Sequence, residues 1–80
     1  MFEASKRLGE NVRDRRKAAQ LSQADLAALS GLDTSTVSRL ERGELNPTLT
    51  TLLALAITLE CEAFELIEGV EPPKLVARSS

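Results

Sequence analysis

An 80-residue chain, 42% of it hydrophobic, can fill one small core and has no length for a second. Its formal net charge is −2, it contains no His, and its only Cys is Cys61. An intramolecular disulfide is therefore excluded. With neither a His nor a Gly-rich phosphate loop, the chain also lacks the usual equipment of an enzyme.

Leu and Ala dominate and aromatics make up only 2%, so the composition predicts an all-α fold, which the helix signals along the chain divide into a compact five-helix domain. The first helix is expected from Phe2 or Glu3 to Ala19, with Leu8, Val12 and Ala19 along one face. Ser22 is a good N-cap for the second helix, and Asp25 three residues later completes a capping box. Gly31 ends that helix. Asp33 caps the third, which runs to about Arg42, with Gly43 as a natural residue just past its end. After a loop from Glu44 to Pro47, Thr48 caps a fourth helix through Leu59. Its expected buried stripe is Leu49, Leu52, Leu53, Ala56 and Leu59. A short fifth helix, Ala63 to Ile67, presents Phe64, Leu66 and Ile67, with Cys61 expected in the core beside it. Pro72 and Pro73 prevent any helix beyond Gly69, so residues 1–69 form the domain and 70–80 an extended or disordered tail. The start, MFEASKR, has no apolar run behind its charges, and Leu52–Ile57 is too short to span a bilayer, so a cytoplasmic location is expected.

Within this pattern, five positions act together. Leu26 and Ala27 lie on one turn of the second helix, Gly31 stands at the corner, and Val37 and Leu40 line the inner face of the third. Two short helices crossing steeply need a small side chain near the crossing and an unusual backbone angle at the turn, which makes this a helix-turn-helix. Its second helix then turns Thr34, Ser35, Ser38 and Arg39 broadly outward, toward a DNA major groove. Ser/Thr-rich outer faces are ordinarily plain solvated surface, and it is the helix-turn-helix setting that points to DNA. Arg39 is the sharpest candidate, because its planar fork of donors matches the two acceptors of guanine. Gln23 opens the second helix, where its amide and the free backbone N–H groups can meet a phosphate. Arg16 follows Val12 by four residues and Glu41 follows Val37 by four. Both charges fall beside apolar faces, so they are expected to pair, tying the first helix to the third.

Charge is unevenly distributed. Residues 1–20 carry six Lys/Arg against three Asp/Glu, while residues 48–80 carry two against five. One face can thus approach phosphates although the whole chain is acidic.

The strings LSQADLA, SGLDTSTVSRLERG, NPT and LLALAITL, spread over roughly Leu8 to Ile67, resemble the phage repressor/Cro type of helix-turn-helix domain, the XRE family. The small size is similar to that of restriction-modification controller proteins and other small stand-alone regulators. The resemblance implies five helices with the third as reader, placing Thr34, Ser35 and Arg39 at base-contacting positions and Thr36 and Ser38 nearer the phosphates. It places Arg42, Asn46 and Thr48 on the other rim of the groove. It agrees with an Arg16–Glu41 pair, and it implies a dimer joined through the helix-five region, here Phe64, Leu66 and Ile67. Gln20 and Glu60 depart from the Gly common in relatives, Arg15 from Leu, and Glu62 from a Ser cap.

The function so implied is a sequence-specific transcriptional regulator, repressor or controller, binding a (pseudo)palindromic operator as a homodimer. The competing reading is an antitoxin-type or other protein-interaction module whose helix-turn-helix serves autoregulation. Such a module needs a long partner-binding segment, and only the tail after Gly69 is available for one, which favours the regulator. The expected partners are double-stranded DNA and a second copy of the chain. No cofactor, metal, membrane or small-molecule ligand follows from the residues.

Overall fold

The computed structural model describes residues 3–71. The expected helix start at Phe2 and most of the expected tail, 72–80, lie outside the described residues. Within them are five helices and no strand: α1 (Glu3–Ala18), α2 (Gln23–Ser30), α3 (Thr34–Glu41), α4 (Leu49–Thr58) and α5 (Ala63–Leu66).

Local chemistry explains where the helices begin. Ser22 Oγ accepts from the Asp25 amide at 2.9 Å, and Asp25 Oδ2 accepts from the Ser22 amide at 3.0 Å, closing the capping box of α2. Asp33 Oδ1 accepts from the Thr36 amide at 2.7 Å and caps α3. Thr48 Oγ1 accepts from the Thr51 amide at 3.2 Å and caps α4.

The helices end by one repeated device. The chain turns left-handed after each of the first four, with φ 61° at Gln20, 72° at Gly31, 75° at Gly43 and 55° at Glu60. Each time, the amide of the next residue reaches back to a carbonyl five positions earlier. Leu21 donates to Arg16 at 3.1 Å, Leu32 to Ala27 at 2.8 Å, Glu44 to Arg39 at 2.9 Å and Cys61 to Ala56 at 3.0 Å. Gln20 and Glu60 therefore keep the turn that Gly makes freely and bear its strain. The turn at Gln20 also takes Ala19 off the end of α1. Ala19 was expected on the buried face and is instead exposed.

The core joins Leu8 and Val12 of α1, Leu26 and Ala27 of α2, Val37 and Leu40 of α3, Leu55 and Ala56 of α4, and Leu66 of α5. The stripe of α4 differs from expectation. Leu52, Leu55, Ala56 and Leu59 face inward, whereas Leu49 and Leu53 are exposed, Leu49 by 70%. LTTLLALAITL is apolar nearly all round, so its periodicity does not fix which face is buried. Leu66 also departs from the expected interface, because it is fully buried in its own domain.

Close backbone approach sets the position of α1. A Cβ on Gly9 would stand 2.7 Å from the Glu41 carbonyl oxygen and nearer still to that of Leu40. A Cβ on Gly43, already at positive φ, would stand 2.7 Å from Lys6 Cα. Only glycine lets α1 lie against the end of α3 on both sides of this contact. Gly9→Ala is expected to destabilise by about 3 kcal/mol, the upper part of the overpacking range, because the opposing atoms are backbone. Gln20→Gly, by contrast, is expected to stabilise by about 0.5–1 kcal/mol through relief of left-handed strain, net of the entropy glycine adds to the unfolded chain. Urea unfolding of the two variants measures both.

Two cap carboxyls give an acid signature. The Ser22 amide and hydroxyl hold Asp25 below its ordinary value of 3.8. Thr36, and then Ser35, hold Asp33 below the same ordinary value. The unfolded chain thus binds more protons in this range, so the caps' contribution is complete above pH 3.8 and is lost as pH falls through the lowered folded values. Asp33→Asn, which keeps a capping oxygen, is expected to flatten that acid limb with little change at neutral pH. An acid titration followed by circular dichroism checks this.

Candidate nucleic-acid interface

Helix α3 packs on α1 and α2, which leaves one face outward. Thr34, Ser35 and Arg39 are exposed on that face, and Thr36 and Ser38 are half-buried at its edges. Two of the hydroxyls are occupied locally: Ser35 Oγ donates to Asp33 Oδ1 at 3.1 Å, and Ser38 Oγ accepts from Arg42 Nη1 at 2.7 Å. The Arg39 side chain makes no hydrogen bond or ion pair among the described residues. Its donors face solvent, available to an external acceptor.

The inner side of α3 is held by a buried network. Arg16 Nε donates to Glu41 Oε2 at 2.6 Å and Nη2 to Glu41 Oε1 at 3.1 Å, a two-point fork. The side chains are only 11% and 3% exposed. Arg16 Nη1 also donates to the Leu21 carbonyl at 2.9 Å, and Gln23 Nε2 donates to Glu41 Oε1 at 3.1 Å. One carboxylate on α3 thereby gathers α1, the turn after α1 and the start of α2. The hydrogen bond that it donates to Glu41 pushes the Arg16 guanidinium above its already high value, against the opposing effect of burial.

Gln23 was expected at a phosphate. Its side-chain amide is instead directed to Glu41, so an external contact falls to the open backbone N–H groups at the start of α2. On the opposite rim, Arg42 is exposed beside α3's end. Asn46 is exposed too, with its Oδ1 accepting from the buried Ser5 hydroxyl at 3.1 Å. That bond leaves the Asn46 amide N–H groups facing out. Thr48, as the cap of α4, adds the open amides of a second helix start.

Phe64 and Ile67 flank the buried Leu66 and are 66% and 46% exposed. Arg15, the departure from Leu on α1, reaches Glu65 on α5 at 2.7 Å. Asn11 Nδ2 donates to the carbonyls of Leu66 and Glu68 at 2.9 and 2.8 Å, closing the end of α5. The sequence pattern did not single out Ser5, Asn11 or Glu44: Ser5 and Asn11 meet partners more than forty residues away, and the Arg42–Glu44 spacing of two follows no helical period. Cys61 is half-buried against the core, and burial first of all pushes its thiol up from the ordinary value.

Two short helices across a left-handed Gly31, the second locked from within and polar without, define a helix-turn-helix of the repressor type. The chain belongs to the helix-turn-helix family, whose profile matches residues 12–66. It is similar to control protein C.SmaI of Serratia marcescens, 43% identical over 60 residues, covering 75% of this chain and 71% of that one. The restriction-modification controller protein C.AhdI of Aeromonas hydrophila superposes with a TM-score of 0.79 at 43% identity, over 81% of this chain and 98% of that one. Repressor protein C2 of Salmonella phage P22 is 37% identical over 62 residues, 78% of this chain. The chain spans only 29% of that repressor's length. A structure of the P22 repressor in complex with a synthetic operator matches with a TM-score of 0.74 at 37% identity, over 78% of this chain and 94% of that one. These relatives are control or controller proteins and a repressor solved on operator DNA, and no described helix is long and apolar enough to cross a membrane.

Glu41→Ala strands Arg16 and removes the partner of Gln23. It is expected to destabilise by about 3–5 kcal/mol, as for one broken partner of a buried pair. Replacing both members with Met and Leu is expected to cost less than either single truncation. Chemical unfolding of the three variants decides, and single losses of about 1 kcal/mol or less would mark the pair as behaving like an exposed one.

Proposed function

We propose that this chain is a sequence-specific transcription regulator that binds a (pseudo)palindromic operator as a homodimer, with α3 in the major groove. The observation that carries the reading is Arg39, exposed and unbonded in the last turn of α3, on an outward face whose other side chains are short. A guanidinium so placed offers guanine its two-point contact, and short hydroxyl neighbours let the helix approach the base edges. Thr34 and Ser35 complete the base-facing group. The amides opening α2, together with Thr36, Ser38, Arg42, Asn46 and the start of α4 at Thr48, hold the phosphates on either side. Phe64 and Ile67 supply the apolar surface of the two-fold contact, with Leu66 supporting them from beneath. In that arrangement two α3 helices stand about 34–36 Å apart, one turn of DNA.

Selection of bound DNA from a random pool gives the operator and its half-site spacing. On that site, Arg39→Ala is expected to cost about 1–3 kcal/mol per contact and to flatten discrimination at one base pair in each half-site. Arg42→Ala is expected to weaken all sequences similarly and to reduce the salt slope by about one per protomer. Binding isotherms at several salt concentrations separate the two effects. An equal loss on every sequence for Arg39→Ala would make Arg39 a phosphate clamp and overturn its assignment as reader.

A further inference from the structure

The loop after α3 places a carboxylate where a DNA phosphate is expected to bind. Arg42 Nε donates to Glu44 Oε2 and Nη2 to Glu44 Oε1, both at 3.1 Å, while Nη1 donates to Ser38 Oγ at 2.7 Å. The broad edge of the guanidinium, the edge that grips a phosphate with two parallel bonds, is therefore already filled. This is not a buried structural pair like Arg16–Glu41. The two side chains are 55% and 40% exposed, so the carboxylate can be exchanged for another anion without unpacking the core.

We propose that Glu44 is an internal competitor for the phosphate held by Arg42, and that it sets how strongly the protein binds DNA of any sequence. The proposal rests on the reading of Arg42 as a backbone contact. A phosphate must displace Glu44 from Arg42, and the freed carboxylate then lies close to the phosphate chain and to Arg39. The exchange is worth making where α3 is fully docked and the phosphate is held in line with the guanidinium. On unrelated DNA, where docking is loose, Arg42 keeps its own carboxylate. Glu44 thus suppresses non-specific binding more than specific binding. The Glu44 carboxyl lies below the usual range, held there first by the hydrogen bond from Arg42 and further by Arg39, so it is charged at neutral pH. Overall acidity cannot supply this selectivity, because a diffuse charge weakens both kinds of complex alike.

The test uses the full chain, the selected operator and a duplex of unrelated sequence, with wild type, Glu44→Gln, Arg42→Ala and the double variant. Circular dichroism confirms the fold of each. Glu44→Gln is expected to tighten binding to unrelated DNA by about threefold to fivefold per protomer, the scale of an exposed ion pair, and to tighten operator binding less. It is also expected to steepen the salt slope, because Arg42 then meets phosphate without an internal anion. In the Arg42→Ala background the same substitution is expected to change little. Equal tightening with or without Arg42 would reduce Glu44 to a contribution to net charge, and weaker binding by Glu44→Gln would make it a support for Arg42. Either result overturns the proposal and leaves the phosphate contact standing. If Arg42→Ala leaves binding unchanged at every salt concentration, the phosphate reading itself fails and the competitor falls with it.

Discussion

Glu41 is the carboxylate on which the arrangement of the helix-turn-helix depends. It projects from the inner side of α3 into a nearly closed space and accepts from Arg16 twice and from Gln23 once. Isolated in that space a carboxylate would be costly, and burial of its guanidinium partner alone would be equally so. Each group thus requires the other, and the requirement has geometry: a planar fork meets a planar carboxylate in one orientation. Because Arg16 also holds the Leu21 carbonyl, the fork fixes the turn that leads into α2. The pair adds definition more than net stability. Its value is that α3 cannot rotate about its own axis without breaking charged contacts, so the outward set Thr34, Ser35 and Arg39 has one direction to face.

Close packing makes this pairing geometrically feasible. Gly9 brings α1 against the last carbonyls of α3, and Gly43 lets the chain leave α3 across Lys6. With a methyl group in either place the helices would separate, and the fork would have to reach further. The left-handed turns have a different balance. Gly31 and Gly43 adopt them without strain, while Gln20 and Glu60 are held in them by the contacts around Leu21 and Cys61. The molecule thus carries strain at two of four equivalent positions, and neither lies on the outward face of α3.

The elements and the outward face of α3 were legible in the sequence, because they depend on local chemistry. Ser22, Asp33 and Thr48 stop at helix starts for reasons a single residue and its third neighbour contain. Ala27, Gly31, Val37 and Leu40 sit at spacings only one motif explains, and the Arg16–Glu41 pair followed from two charges set beside apolar faces. The rotation of α4 was not legible. Its eleven-residue apolar stretch satisfies several faces equally, and packing against α2 and α5 chose Leu55 over Leu49 and Leu53. The same limit hid Leu66, whose apolar character suits a core as well as an interface. At the candidate interface, the individual donors could be named but not their partners: Gln23 turned inward to Glu41, Asn46 was found bonded to Ser5, and Arg42 was found bridged to Glu44. These partners are brought together by loops, which leave no periodic trace.

The buried fork is expected to be the last contact to open, since α3 has no defined direction without it. Hydrogen exchange at Arg16 Nε–H, observed by NMR alongside the backbone amides of α3, tests that directly. The fork is predicted to exchange only through global unfolding, with the same opening free energy as the Leu40 amide and the same dependence on denaturant. Exchange of Arg16 Nε–H through a local opening, about a hundredfold or more faster while the α3 amides stay protected, would contradict the account. The outward face of α3 would then be oriented by apolar packing alone.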